Sequence, residues 1–122
     1  MNKKNNYNED NIFAKILNKD AKADVVLEND HVLCILDKYP RLPVHILVLP
    51  KGKFTDINDF SINSNSAQRD AIFDAFKLLI KKYKLEPNGC RIITNYGPDG
   101  RQEVPHLHFH LVGGSDAGNM LN

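Results

Sequence analysis

The sequence predicts an α+β fold with about five strands in a mostly antiparallel sheet, one long helix and one short helix. Short apolar runs alternate with turns rich in Pro, Gly and Asn. One long segment repeats apolar residues at helical spacing, and most of the strands are neighbours along the chain. The length of 122 residues is that of one domain. We expect a disordered polar extension over residues 1–9 and a single domain over 10–122.

The first half of the chain predicts a short helix and three strands. Apolar residues recur at helical spacing after Asp10, and either Asp10 or Asn11 can cap the helix. Segments 25–27 and 31–37 are apolar and enclose a turn-like segment at 28–30, which predicts a hairpin. The third strand, 44–49, lies between two prolines.

The second half predicts one long helix and two further strands. Segment 61–66 is polar without an apolar period, so we expect a loop there. Asn65 and Gln68 have the spacing of a capping box, and the apolar face of the following helix runs to Tyr83. The remaining elements are strands over 90–95 and 104–112, with a loop at 97–100 between them.

Charge and composition exclude several classes of function. The 16 basic and 15 acidic side chains give a net charge of +1, without the basic excess typical of nucleic-acid binding. No apolar run has the form of a signal peptide or a membrane span. We therefore expect a cytoplasmic protein with no nucleic-acid and no membrane partner.

Three of the five histidines fall within five residues, at His106, His108 and His110. Residues two apart in a strand point the same way, so these three side chains are predicted to share one face. The apolar residues between them can then reach the core. The alternation thus predicts a strand with a row of imidazoles on its open side.

A row of imidazoles suits either a metal or a phosphate group. Zinc binds histidine, but residues two apart in a strand lie about 6.6 Å apart, which separates His106 from His110 by about 13 Å. One ion could bind two of them with a third ligand from elsewhere, which keeps a zinc-binding protein as an alternative. For phosphate, a neutral imidazole can attack phosphorus while its neighbours donate hydrogen bonds to the oxygens. We expect the phosphate site, with no metal and no cofactor.

The segment from His106 to Val112 has the pattern His-φ-His-φ-His-φ-φ, where φ is apolar, and so resembles the signature of the histidine-triad (HIT) superfamily. The similarity covers about residues 10–121. The further segments that carry it are Ile12 to Ile16, Leu36-Asp37, Pro43 to Lys51, Arg91 to Asn95, Gly100 to Val104 and Gly113-Gly114. The last pair is similar to the nucleotide-binding, phosphoramidase-type branch of the family.

The resemblance implies a role for each matched residue. His108 is then the nucleophile that becomes nucleotidylated, and His106 orients the other histidines. His110 and His45 bind or polarise the α-phosphate, and Asp37 holds the ribose hydroxyls. The other implied substrate-binding residues are Asn95, Gln102, Glu103 and Val104 on the phosphate and leaving-group side, and Ile12, Phe13, Ile16 and Ile35 around the base.

The activity implied by the resemblance is hydrolysis of purine nucleoside 5′-phosphoramidates. The P–N bond is cleaved through a nucleotidyl-histidine, which yields a nucleoside monophosphate and an amine. The resemblance also implies a homodimer whose small-molecule partner is a purine nucleotide. The alternatives are a dinucleoside polyphosphate hydrolase, which uses the same triad, and a nucleotide-binding regulatory module with little turnover.

Four positions depart from the pattern of the family. Arg101 stands where the branch usually has glycine, and Lys38 stands where an apolar base-pocket residue is common. Glu103 replaces the serine or threonine of many relatives, and Pro105 removes a backbone donor just before the triad. These departures bear on rate and leaving-group preference rather than on the reaction class.

Overall fold

The described residues, 6–120 of a computed structural model, form a five-stranded sheet with three helices. In chain order the elements are α1 (Ile12–Leu17), β1 (Val25–Glu28), β2 (Val32–Leu36), β3 (Val44–Pro50), α2 (Ile57–Asn63), α3 (Ser66–Lys82), β4 (Cys90–Ile93) and β5 (Phe109–Gly113). The strand order is β1-β2-β3-β5-β4, and each neighbouring pair is antiparallel. The α+β class and the antiparallel sheet are confirmed. No helix within these residues has the length and apolar character needed to cross a membrane.

The sheet carries an apolar core on each face because side chains alternate along every strand. One face packs against α2 and α3, where Phe60, Ile72 and Leu79 are buried. The other face packs against α1 through Phe13, in a smaller cluster that includes Leu47 of β3. Residues of this cluster, including Phe13 and Leu47, line both of the cavities described below.

The helix termini are capped by side chains. Asn65 and Gln68 form the predicted capping box at the start of α3. Helix α2 was not predicted, and the expected loop over 61–66 is wrong for residues 61–63, which belong to α2, and for Ser66, which begins α3. Asp56 caps this helix by accepting a hydrogen bond from the N–H of Asp59, and Phe60 buries its ring against Phe54 at 4.9 Å between centroids.

The last strand is shorter than the sequence predicted, because β5 begins at Phe109 rather than at residue 104. Pro105 has no N–H to donate to a neighbouring strand, and the N–H of Leu107 donates to the carbonyl of Phe54 at 2.8 Å. The chain therefore joins the sheet only after His108. The expected strand does not include His106 and His108, which precede β5. Their rings still lie on the side of the sheet that carries His110, because Phe13 contacts both rings and the rings of His108 and His110 lie 5.1 Å apart.

The predicted extension over residues 1–9 is described in part. Residues 1–5 lie outside the described residues, as do 121–122 at the other end. Within residues 6–9, Tyr7 contacts His106, 99 positions away in the sequence. The boundary of the domain at residue 10 stays a prediction.

Candidate active site

His45 and His110 are brought together by the pairing of β3 with β5. The register places His45 opposite Val112 and Leu47 opposite His110, so the two histidines are diagonal neighbours on the second face of the sheet. Long side chains reach one another at such positions. Nε2 of His45 lies 3.0 Å from Nδ1 of His110.

His106 is fully buried, and both of its ring nitrogens are hydrogen-bonded. The partner of Nε2 is the carbonyl oxygen of Pro50 at 2.9 Å. Since a carbonyl only accepts, Nε2 carries the proton, and Nδ1 accepts from the hydroxyl of Tyr7 at 2.5 Å. The ring of Tyr7 meets the imidazole edge-on, with centroids 5.5 Å apart. His106 is thus held as one neutral tautomer in one orientation.

His108 is held through the ring nitrogen that faces the backbone. Nδ1 donates to the carbonyl of His106 at 2.8 Å, so the imidazole proton lies on Nδ1. Nε2 then carries a lone pair that no described residue engages in a hydrogen bond. Phe13 packs edge-on against the ring at 4.8 Å between centroids. A neutral imidazole with a free Nε2 lone pair is a nucleophile.

His45 and His110 form a second hydrogen-bonded unit beside His108. The backbone N–H of Arg41 donates to Nδ1 of His45 at 3.0 Å, which places the His45 proton on Nε2. This Nε2–H donates to Nδ1 of His110 at 3.0 Å, and Oδ2 of Asp37 lies 3.4 Å from it. His110 therefore carries its proton on Nε2, where it is available to a ligand. The rings of His108 and His110 lie 5.1 Å apart.

Burial keeps all four imidazoles neutral at neutral pH. Burial lowers the pKa of His106 to about 4. Burial, together with the charges that His108 and His45 would carry, also lowers the pKa of His110 to about 4. The pKa values of His108 and His45 also lie below the usual value because burial disfavours the charged ring, although Asp37 opposes this shift. The site therefore presents a neutral nucleophile and neutral donors rather than a cluster of cations.

Two adjoining cavities meet beside these histidines. The smaller, of about 810 Å³, is lined by His45, His108 and His110, and the larger, of about 1110 Å³, lies between α1 and the first two strands. The residues that line both are Ile12, Phe13, Asp37 and Leu47. Asp37 thus stands where the cavities join. An apolar chamber next to a few convergent polar groups is the usual form of a small-molecule site.

Most of the predicted site residues line these cavities. The smaller cavity has His45, Asn95, Glu103, Val104, His108 and His110, the larger has Ile16 and Ile35, and both have Ile12, Phe13 and Asp37. His106 and Gln102 line neither. The Gln102 amide donates to the carbonyls of Thr55 at 2.7 Å and Val104 at 3.0 Å, so this side chain braces the loop behind the cavity. The roles implied for these residues stay predictions.

Sequence reasoning missed three contributors to the site. Leu47 lies two residues after His45 on the same face of β3, so strand alternation alone could have indicated it. Tyr7 lies in the predicted extension, and no sequence pattern links it to His106. Arg41 holds His45 through its backbone N–H, which any residue except proline supplies at that position.

Among the described residues, Asp37, His45 and His110 have the spacing of a metal site, with ligand atoms within 4.8 Å of one another. The hydrogen bonds oppose that use. A metal-bound imidazole offers a lone pair, but the lone pair of His45 already accepts from Arg41, and its Nε2 carries the proton. A metal would have to displace the bond to Arg41 and the bond between His45 and His110. As arranged, these groups suit hydrogen bonding to an anion.

The chain is similar in sequence and in fold to known proteins. Residues 18–117 match the HIT domain family. A 13.2 kDa HIT-like protein of Azospirillum brasilense is 39% identical over 94% of this chain and 94% of its own length. The purine nucleoside phosphoramidase of Escherichia coli is 35% identical over 93% of this chain and 94% of its own length. A HIT family hydrolase structure from Clostridium thermocellum covers 94% of this chain and 99% of its own, with TM-score 0.82 and 33% identity.

The hydroxyl of Tyr7 is expected to stabilise the fold through His106. Tyr7→Phe leaves the buried Nδ1 of His106 without its donor, so the free energy of unfolding in urea should fall by about 1 kcal/mol. Tyr96→Phe is the matched control, because the Tyr96 hydroxyl makes no hydrogen bond within residues 6–120. Equal stabilities for the two variants would show that the Tyr7 contact contributes nothing.

The low pKa of His106 predicts a loss of stability in mild acid. The unfolded chain takes up a proton on this residue near pH 6.5, whereas the folded chain does so only near pH 4. Stability is therefore present above pH 6.5 and lost as the pH falls towards 4. The free energy of unfolding should drop between pH 7 and pH 5 by about 2 kcal/mol more in the wild type than in His106→Asn. Parallel pH profiles of the two proteins contradict this account.

Proposed function

The chain belongs to the histidine-triad (HIT) domain family, and from this premise we propose that it hydrolyses purine nucleoside 5′-phosphoramidates to a nucleoside monophosphate and an amine. One observation carries the proposal. The Nδ1–H of His108 is engaged by the carbonyl of His106, which leaves Nε2 as a nucleophile on the cavity wall. The similarity to the E. coli purine nucleoside phosphoramidase supports the choice of substrate.

The substrate lies across the two cavities, with its base in the larger one and its phosphate and amine in the smaller one. The base lies in the larger cavity, between Ile12, Ile16 and Ile35, whose side chains form apolar walls. The ribose hydroxyls meet the carboxylate of Asp37 at the junction of the cavities. The α-phosphate then falls beside His108, and the amine extends into the part of the smaller cavity beyond it.

The first step transfers the nucleotide to the protein. Nε2 of His108 attacks the α-phosphorus, the new N–P bond forms, and the P–N bond to the amine breaks. The electron pair of that bond goes to the departing nitrogen, which takes a proton from solvent. Positive charge develops on the His108 ring, and the carbonyl of His106 stabilises it through Nδ1–H. The Nε2–H of His110 donates to the phosphate oxygens.

The second step restores the free histidine. A water oxygen attacks the phosphorus, the bond between phosphorus and Nε2 of His108 breaks, and the water proton passes to solvent. The nucleoside monophosphate leaves, and Nε2 regains its lone pair. The same donor from His110 serves both steps, because the charge on the phosphate oxygens rises in each transition state.

The mechanism requires His108 for chemistry but not for binding. His108→Ala should abolish turnover of a fluorogenic adenosine phosphoramidate and leave the affinity for AMP by calorimetry within about tenfold of wild type. His31→Ala is the matched control and should retain turnover, because His31 lines neither cavity. In His110→Ala the second step should be slow enough for intact-protein mass spectrometry to detect one added nucleotidyl group. Retained turnover in His108→Ala rules out this assignment.

Other results of the same assays favour the other candidates. Fast cleavage of a dinucleoside polyphosphate without cleavage of the phosphoramidate indicates the polyphosphate hydrolase. Tight nucleotide binding with neither an adduct nor turnover indicates a regulatory binding module.

We further propose that two copies of the chain form a homodimer through the β4 edge of the sheet. Strand β4 pairs on one side with β5 and has no second partner among residues 6–120. Ile92 of this strand is 40% exposed, and Phe73 on α3 is 71% exposed. An open strand edge with exposed apolar side chains is covered in most proteins.

Light scattering at micromolar concentration should give twice the mass of one chain. Ile92→Arg should shift the mass towards that of one chain, because it places a charge on the pairing edge. Ile62→Arg, on the exposed side of α2, is the matched control and should leave the mass unchanged. A monomeric wild type rejects the dimer.

A further inference from the structure

The smaller cavity extends past the histidines into a region rich in arginine. Residues that line this cavity but not the larger one include Arg41, Arg91 and Arg101. A substrate with its base in the larger cavity and its phosphate at His108 points its leaving group at this region. The region is therefore the leaving-group side of the site.

The three arginines differ in what their guanidinium groups contact. Arg91 donates from Nη2 to the carbonyl of Gly118 at 2.6 Å and from Nη1 to the carbonyl of Ala117 at 3.4 Å, which holds the C-terminal segment against the cavity. Within residues 6–120, the guanidinium groups of Arg41 and Arg101 have neither an ion pair nor a hydrogen bond. Glu103 is the only acidic side chain among the described residues that line the smaller cavity alone. Positive charge is thus in excess on this side.

Backbone contacts fix the positions of both unpaired arginines. The N–H of Arg41 is bonded to His45 at 3.0 Å, so its side chain starts next to the site. Its side chain lines the same cavity as His45 and His110, and its positive charge adds to burial in lowering the pKa of both rings. Arg101 lies in a tight turn, where its N–H donates to the carbonyl of Pro98 at 3.1 Å.

Arg101 holds a conformation that side-chain-bearing residues rarely adopt. Its φ is +60°, and the two other non-glycine residues with positive φ between positions 6 and 120, Lys19 and Lys84, directly follow helix C-caps. Such strain persists where the surrounding structure enforces it, and it clusters at functional sites. Here the strained residue brings a guanidinium to the cavity that holds the nucleophile.

We propose that Arg41 and Arg101 form an anion subsite for the leaving group, so that the preferred substrates carry a negative charge beyond the scissile bond. Two kinds of group can supply that negative charge. One is the carboxylate of an amino acid joined to the nucleotide through its nitrogen, and the other is a further phosphate. This inference rests on the proposed function, because it takes the nucleotide to lie with its base in the larger cavity.

The carboxylate is tested with two substrates that differ only in charge, the adenosine 5′-phosphoramidates of glycine and of glycinamide. The wild type should favour the glycine conjugate in kcat/KM by about three- to tenfold, the range expected for two exposed charge pairs. The double variant R41Q/R101Q should bring the ratio close to one. Arg69→Gln, which lines neither cavity, should keep the wild-type ratio. Because each comparison is a ratio within one protein, effects of a substitution on folding cancel.

The phosphate is tested by calorimetry with AMP and ADP, since the β-phosphate of ADP extends from the α-phosphate towards the leaving-group side. The wild type should bind ADP more tightly than AMP by about three- to tenfold, and R41Q/R101Q should lose that preference. Raising the salt concentration should shrink the preference, because both guanidinium groups are exposed.

The two assays separate the subsite from the proposed activity. An arginine-dependent preference in kinetics alone indicates the carboxylate, and one in binding alone indicates the phosphate; either supports the subsite. If no phosphoramidate is cleaved, the proposed function fails, and the binding ratios decide the subsite alone. The anion subsite is overturned if the wild type and R41Q/R101Q give the same ratios in every assay that yields a signal.

Discussion

The hydrogen bond from Nδ1 of His108 to the carbonyl of His106 is the interaction on which the rest of the site depends. It decides which nitrogen of His108 holds the lone pair. The side chain of His106 anchors this carbonyl in place. Its ring is bonded to Pro50 at the end of β3 and to Tyr7 near the N-terminus. Distant parts of the chain thus set the tautomer of one imidazole.

A buried polar network of this kind is stable only when each member has a partner. His106 meets this condition with both nitrogens, and His45 meets it with Arg41 on one nitrogen and His110 on the other. The two nitrogens left over are Nε2 of His108 and Nε2 of His110, and both side chains line the smaller cavity. One offers a lone pair and the other a proton. The hydrogen bonds that stabilise the buried network therefore leave one nucleophilic nitrogen and one N–H donor free, and phosphoryl transfer needs both.

The predictable parts of this structure are those with a local pattern. The apolar run over 44–49 between two prolines predicted β3, and the spacing of Asn65 and Gln68 predicted the start of α3. Helix α2 had a local signal as well, since Asp56 caps it and Ile57 and Phe60 are three residues apart. The polar residues that end α2 concealed that signal.

The parts that the sequence did not predict depend on contacts between distant segments. The pattern of alternate histidines indicates a strand, but the N–H of Leu107 bonds to Phe54 instead of to a neighbouring strand. This contact takes His106 out of the sheet and brings it to Pro50 and Tyr7. No periodicity within residues 104–112 encodes such partners. The family resemblance could suggest the roles of the histidines, whereas the hydrogen bonds that fix their protons became evident only from the fold.

Burial separates two kinds of group in the site, which are neutral histidines at its centre and charged arginines at its exposed rim. Burial disfavours the imidazolium ion, so the histidines at the centre each keep a single ring proton and cannot supply positive charge to an anionic substrate at neutral pH. A guanidinium keeps its charge in any environment, but burying one without a partner is costly. Cations that recognise the charge of a substrate therefore belong at the exposed rim, where Arg41 and Arg101 lie. On this argument the buried triad sets the reaction, and substitutions among exposed rim residues can change the leaving group without disturbing the nucleophile.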